Sequence, residues 1–83
     1  MINNSKKENT PFDYTENKIW VYFEVADKNS FKNYISTLQF VTPASLIEES
    51  YGYKILICNQ HIPEIVRDLA AKNVVIYQVT RLL

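Results

Sequence analysis

The sequence predicts an α+β domain of the ferredoxin-like kind, a split βαβ sandwich (βαββαβ) with a four-stranded antiparallel sheet and two helices on one face. Three observations carry this. A run from Lys18 alternates apolar and mixed residues with period two, two later segments repeat apolar residues at i, i+3, i+4 and i+7, and a hairpin-like stretch separates those two segments. Two β-α-β units joined by a hairpin, with right-handed crossovers, leave few other topologies.

Residues 1–17 are rich in Asn, Lys, Glu and Thr, contain Pro11 and show no periodicity, so they read as a flexible tail or linker, with Phe12 and Tyr14 as points where it could be pinned. Residues 18–83 form the domain. In the first strand, Lys18 to Ala26, the set Ile19, Val21, Phe23 and Val25 is uniformly apolar and is expected to face the helices. Trp20, Tyr22 and Glu24 then point to the open face. Asp27, Asn29 and Ser30 offer N-cap oxygens to a helix over Asn29 to Phe40, ending near Gln39, whose stripe is Phe31, Tyr34, Ile35 and Leu38. Pro43 requires the chain to have left the helix before it.

Residues 45–58 read as a hairpin, with Tyr51-Gly52 as the turn and Gly52 where a positive φ would be needed. On the returning strand Tyr53, Ile55 and Ile57 oppose Lys54, Leu56 and Cys58. The second helix carries Ile62, Ile65, Val66, Leu69 and Ala70 on one stripe, tolerates Pro63 in its first turn, and places Glu64 and Lys72 favourably in the helix dipole. Asn73 is a candidate left-handed stop, and Val74 to Val79 form the last strand.

Composition removes several function classes. The chain has 83 residues, nine basic and nine acidic, for a formal net charge of zero, so no overall field draws it to nucleic acid or anionic lipid. A single glycine cannot build a phosphate-cradling loop. One cysteine, Cys58, closes no intrachain disulfide, which suits a reducing, cytoplasmic setting. No apolar run approaches the roughly 20 residues that a membrane-spanning helix needs.

Catalytic constellations are equally sparse. Cys58 and His61 supply two ligands where a structural zinc site needs about four, and neither has an orienting third group for nucleophilic chemistry. Glu48 and Glu49 point to opposite faces of a strand and suit a charged edge better than an acid/base pair. No cofactor site and no enzyme activity are expected of this chain. The segment Ser50-Tyr51-Gly52-Tyr53-Lys54-Ile55-Leu56-Ile57 is distantly similar to the third-strand motif of RNA-recognition domains. It lacks the basic residue before the glycine and the alternate stacking rings, so nucleic acid is not an expected partner.

Asn59-Gln60-His61-Ile62-Pro63-Glu64-Ile65-Val66-Arg67-Asp68-Leu69, followed by Asn73-Val74-Val75-Ile76-Tyr77-Gln78-Val79, resembles the accessory C-terminal domain that follows the ATPase in bacterial ABC-2-type transporter ATP-binding proteins of the bacitracin- and lantibiotic-export kind. The resemblance spans about residues 18–81 and rests on hydrophobic pattern with Pro63, Tyr77 and their spacing. It implies a non-catalytic role in contacting the ATPase core, transporter subunits or a dimer partner, in the cytoplasm and at the membrane only through the complex. Walker, signature and switch motifs are missing, so ATP hydrolysis would belong to the parent protein. Family members also continue into a terminal helix where this chain reads Thr80-Arg81-Leu82-Leu83, which implies a domain excised from a longer protein whose linker corresponds to the tail.

The contact surface expected on this reading is Trp20, Tyr22 and Leu56 on the open face, because clustered exposed aromatic and aliphatic side chains mark interaction sites. The missing terminal helix covering them as core is the competing expectation. The alternative function is a stand-alone ferredoxin-like regulatory module that binds a small ligand or a protein partner.

Overall fold

The structure is a computed structural model and describes residues 17–83. The tail expected over 1–17 therefore lies, apart from Asn17, outside the described residues. In chain order the elements are β1 (Lys18–Val25), α1 (Lys28–Ile35), a 3₁₀ turn (Pro43–Ser45), β2 (Leu46–Glu49), β3 (Gly52–Cys58), α2 (His61–Ala71) and β4 (Ile76–Leu82).

The four strands form one sheet in the order β2-β3-β1-β4, and every neighbouring pair is antiparallel. It follows that β1 and β2 run parallel with β3 between them, and β3 and β4 run parallel with β1 between them. The arrangement is α+β and consistent with a small ferredoxin-like fold. No helix among the described residues is long and apolar enough to cross a membrane.

The alternation in β1 works as its sequence requires: Ile19, Val21, Phe23 and Val25 are buried, while Trp20, Tyr22 and Glu24 are half-buried on the other face. Opposite them, Tyr53, Ile55 and Ile57 are buried in β3. Phe31, Tyr34 and Ile35 of α1 and Ile65 and Leu69 of α2 join the same cluster, so both helices cover one face of the sheet. At its centre Phe31 tilts against Phe23, with ring centroids 5.4 Å apart, and stacks on Tyr53 at 5.5 Å. Such aromatic pairs add to the burial of apolar area that drives folding.

Helix α1 begins where the sequence placed its cap. Asp27 Oδ1 accepts from the Ser30 amide at 3.1 Å and Oδ2 from the Ser30 hydroxyl at 2.7 Å. The helix ends at Ile35, earlier than expected: after Ser36 N, which still donates to Lys32 O, the backbone tightens to bonds from Thr37 N to Tyr34 O and Leu38 N to Ile35 O, and Ser36 Oγ and Thr37 Oγ1 donate to Lys32 O and Tyr34 O as well. Leu38 and Phe40 still pack on the core from the loop. Before β2, Thr42 and Ser45 exchange hydrogen bonds around Pro43, a small capped turn that sequence periodicity did not show.

The hairpin turn consists of Ser50 and Tyr51, one residue earlier than expected, and Glu49 pairs with Gly52. Gly52 does not have a positive φ. Its requirement is steric: a Cβ there would overlap the carbonyl oxygen of Phe23 and sit 2.8 Å from its carbonyl carbon. The glycine lets β1 and β3 approach at their pairing's end, where Val25 N donates to Tyr51 O.

Asn73, with φ 60°, is the only described non-glycine residue in the left-handed region, and it stops α2 as expected. Asn73 N donates to Ala70 O and Val74 N to Leu69 O, which satisfies the helix's last carbonyls and buries Val74 against the core. The last strand is displaced by this closure. Val74 belongs to the cap, Val75 O accepts from Ala26 N, and β4 runs Ile76–Leu82 rather than Val74 to Val79. Thr80, Arg81 and Leu82 thus complete the sheet. We expect Asn73→Ala to cost about 1 kcal/mol, the usual cost of a left-handed β-carbon, and Asn73→Gly to cost nothing. Urea midpoints of the two variants check this.

Two carboxylates give an acid signature. The Ser30 donors hold the Asp27 carboxyl below the usual range, and a hydrogen bond from Lys28, reinforced by its charge, does the same for Glu48. Both shifts are downward, so the linked stability is whole above the unfolded-state values of about 4 and is lost as the pH falls through the lower folded-state values. Urea midpoints are expected to fall with acid below about pH 4, and Asp27→Asn to flatten that fall.

Candidate functional site: the open face of the sheet

Strand period two and the observed register decide which side chains share the face away from the helices. Paired residues in an antiparallel ladder point to the same side. Trp20 pairs with Leu56 on β3 and with Leu82 on β4, so these three form one row across three strands. Trp20 and Leu56 are half-buried and Leu82 is 42% exposed. Ile47, also 42% exposed, extends the row diagonally on β2, where it pairs with Lys54.

Tyr22 stands one pair further along, between Lys54 and Thr80, followed by Glu24 between Gly52 and Gln78. The face is therefore divided: an apolar row at one end, a polar half at the other. The polar half holds a shallow depression of about 490 Å³ lined by Tyr22, Glu49, Tyr51, Lys54, Gln78 and Thr80, among others. Lys54 Nζ lies 3.3 Å from Glu49 Oε2, and Gln78 Nε2 donates to Thr80 Oγ1 at 2.6 Å. Partial desolvation, then the Glu24 and Glu49 carboxylates, hold the Tyr22 phenol above its ordinary value.

The structure thus brings Trp20 and Leu56 into direct register and puts Tyr22 beside them on the same side. Leu82 is not among the expected surface residues, because the expected last strand ends at Val79 and the observed one runs to Leu82. The signal that could have found it is the alternation continuing through Gln78, Thr80 and Leu82.

Comparison with protein-family models, curated proteins and solved structures finds no match.

Other residues singled out for chemistry have structural employment. Cys58 is buried as a free thiol on β3. His61 is the first residue of α2, after the N-cap Gln60, and its ring stacks on Phe40 with centroids 3.8 Å apart. Gln60 Oε1 and His61 Nδ1 are buried without a hydrogen-bond partner among the described residues. Among these residues no group of three or more His, Cys, Asp or Glu side chains is placed to hold a metal.

Glu48 and Glu49 separate to the two faces, with Glu48 Oε2 accepting from Lys28 Nζ at 2.7 Å. Tyr53, in the segment similar to an RNA-binding motif, is 3% exposed and faces the helices, where it stacks on Phe31 and presents no ring to a base. Tyr34 is tied to α2 by its hydroxyl, which donates to Asp68 Oδ2 at 2.6 Å. Burial and then that bond raise the phenol's pKa.

Proposed function

We propose that this domain is a non-catalytic docking module of ferredoxin-like, split βαβ architecture that binds a protein partner across its open sheet face. The observation that carries this reading is the row Leu56–Trp20–Leu82, apolar, in register and incompletely covered, on a face whose other half is polar. Tryptophan at the centre of such a row, flanked by aliphatic side chains that exclude water, is the composition of a binding hot spot. The parallel β1/β2 and β3/β4 relations support the split βαβ assignment.

The partner is the ATPase core of an ABC-2-type exporter, a choice supported by the resemblance over Asn59 to Leu69 and Asn73 to Val79. On this reading the module works in the cytoplasm and reaches the membrane through the transporter complex, while ATP hydrolysis resides in the partner.

The test is chemical-shift mapping of the isotope-labelled domain against the ATP-binding domain encoded in the same reading frame or operon. The amides of Trp20, Tyr22, Leu56 and Leu82 are expected to move, and Trp20→Ala to weaken binding by about 2 kcal/mol or more while the far-UV circular dichroism stays native. Shifts confined to α1 and α2, or none at all, would remove the open face as the contact surface.

The depression beside Tyr22 supports a second reading, a regulatory module taking a small ligand with an aromatic ring and an anionic group, held by Tyr51 and Lys54. A thermal-shift screen of amino acids and nucleotides separates the two readings, since only the second expects a rise in melting temperature that Lys54→Ala abolishes.

A further inference from the structure

The two edges of the sheet are guarded to very different degrees. β2 has four residues, two of them Glu48 and Glu49, and Lys28 Nζ reaches over it to the Glu48 carboxylate and the Glu49 carbonyl, each at 2.7 Å. Short length and charge are the devices that keep other chains from adding a strand. β4 has neither. It has seven residues, no proline, no acidic side chain and one charge, Arg81. In and beside it stand Val75, Tyr77, Val79, Leu82 and Leu83, most of the exposed large hydrophobic residues of the domain.

Five consecutive pairs, Glu24 with Gln78 through Trp20 with Leu82, hold the inner side of β4 straight against β1, and the irregularity is confined to the Val25 end. No described strand lies on its outer side. A regular strand in that position offers alternating N–H and C=O groups to a partner strand.

We propose that β4 pairs antiparallel with β4 of a second copy of this chain, joining the two four-stranded sheets into one continuous sheet. A second copy is favoured because the strand is complementary to itself. A two-fold axis that keeps both helical layers on one side must oppose residues of the same face, so the register centres on a residue. Centred on Val79, it sets valine against valine and Gln78 against Thr80, all within the stretch 78–82 that pairs regularly with β1, while Ile76, opposite the buried Val25, and Tyr77 fall at the irregularity outside the matched register. The two Arg81 guanidinium groups lie two residues out on opposite sides of the axis and are kept apart. Centred on Arg81, the same strand would oppose the two charges directly, which is destabilising. The edge lies beside the open face and leaves it uncovered, so this pairing and the docking surface above stand or fall separately.

Sedimentation velocity of the full chain at micromolar concentration is expected to give twice the 9.7 kDa monomer mass. Val79→Lys and Val79→Glu each place like charges across the axis and are expected to raise the dissociation constant by on the order of tenfold or more. An equimolar mixture of the two variants should recover the dimer, because lysine then faces glutamate. Amide hydrogen exchange on the unmodified chain gives an answer even where a variant fails to fold: β4 amides should lose protection on dilution while β2 amides do not change. A monomer at every concentration, a dimer indifferent to both charges, or concentration-dependent protection at β2 instead of β4 would overturn the proposal.

Discussion

Gly52→Ala is expected to destabilise this domain by about 3 kcal/mol or more, the upper part of the range for forcing atoms into a packed site. The added Cβ meets main chain, the carbonyl of Phe23, and not the end of a side chain that could turn aside. The clash can be relieved only by separating β3 from β1 at the Glu24–Gly52 pair, and that also loosens the bond from Val25 N to Tyr51 O. Because the site lies at the end of the ladder, fraying of that pair absorbs part of the cost. Urea denaturation followed by circular dichroism measures the loss, and accelerated hydrogen exchange at Val25 locates it. A Gly52→Ala variant within about 0.5 kcal/mol of the parent, the range of an ordinary surface change, would show that the strands do not approach this closely.

Phe31→Ala is expected to cost about 3–5 kcal/mol, the range for deleting a buried phenylalanine and leaving its cavity. Phe31 is fully buried and touches two other rings, Phe23 and Tyr53, so its loss unsupports the joint between α1 and the centre of the sheet. A core of this size supplies only about 3–5 kcal/mol in total, so the variant should be largely unfolded at room temperature. Phe31→Leu keeps most of the volume and should retain a cooperative transition at a lower urea midpoint. The comparison separates the packing contribution from the stacking of rings.

The buried sets of β1, β3, α1 and α2 were legible in the sequence because each obeys a local period, two or about 3.6 residues, that burial on one side imposes. Asp27 as a cap and Asn73 as a stop were legible too, since each answers a backbone need within its own turn. The end of α1 was not, because nothing in the apolar stripe through Leu38 shows that the backbone tightens to i→i−3 bonds at Thr37 and Leu38. Nor was the register of β4. Val74 and Val75 look like strand, and only their bonds to Leu69 and Ala26 show that they close the helix and join the sheet edge.

The face carrying Trp20, Tyr22 and Leu56 was readable from alternation alone, but the row was not, since which residues stand opposite Trp20 depends on pairing across residues far apart in the chain. The sequence by itself determined the order of the elements, their inward faces and the scarcity of catalytic groups, all set by local periodicity and composition. Only the tertiary arrangement decides that Gly52 serves a close strand approach and not a left-handed turn, that Leu82 completes the apolar row, and that among the described residues the β2 edge is guarded by charge while the β4 edge is not. Each of these depends on which strands become neighbours, and strand pairing joins residues that no local pattern connects.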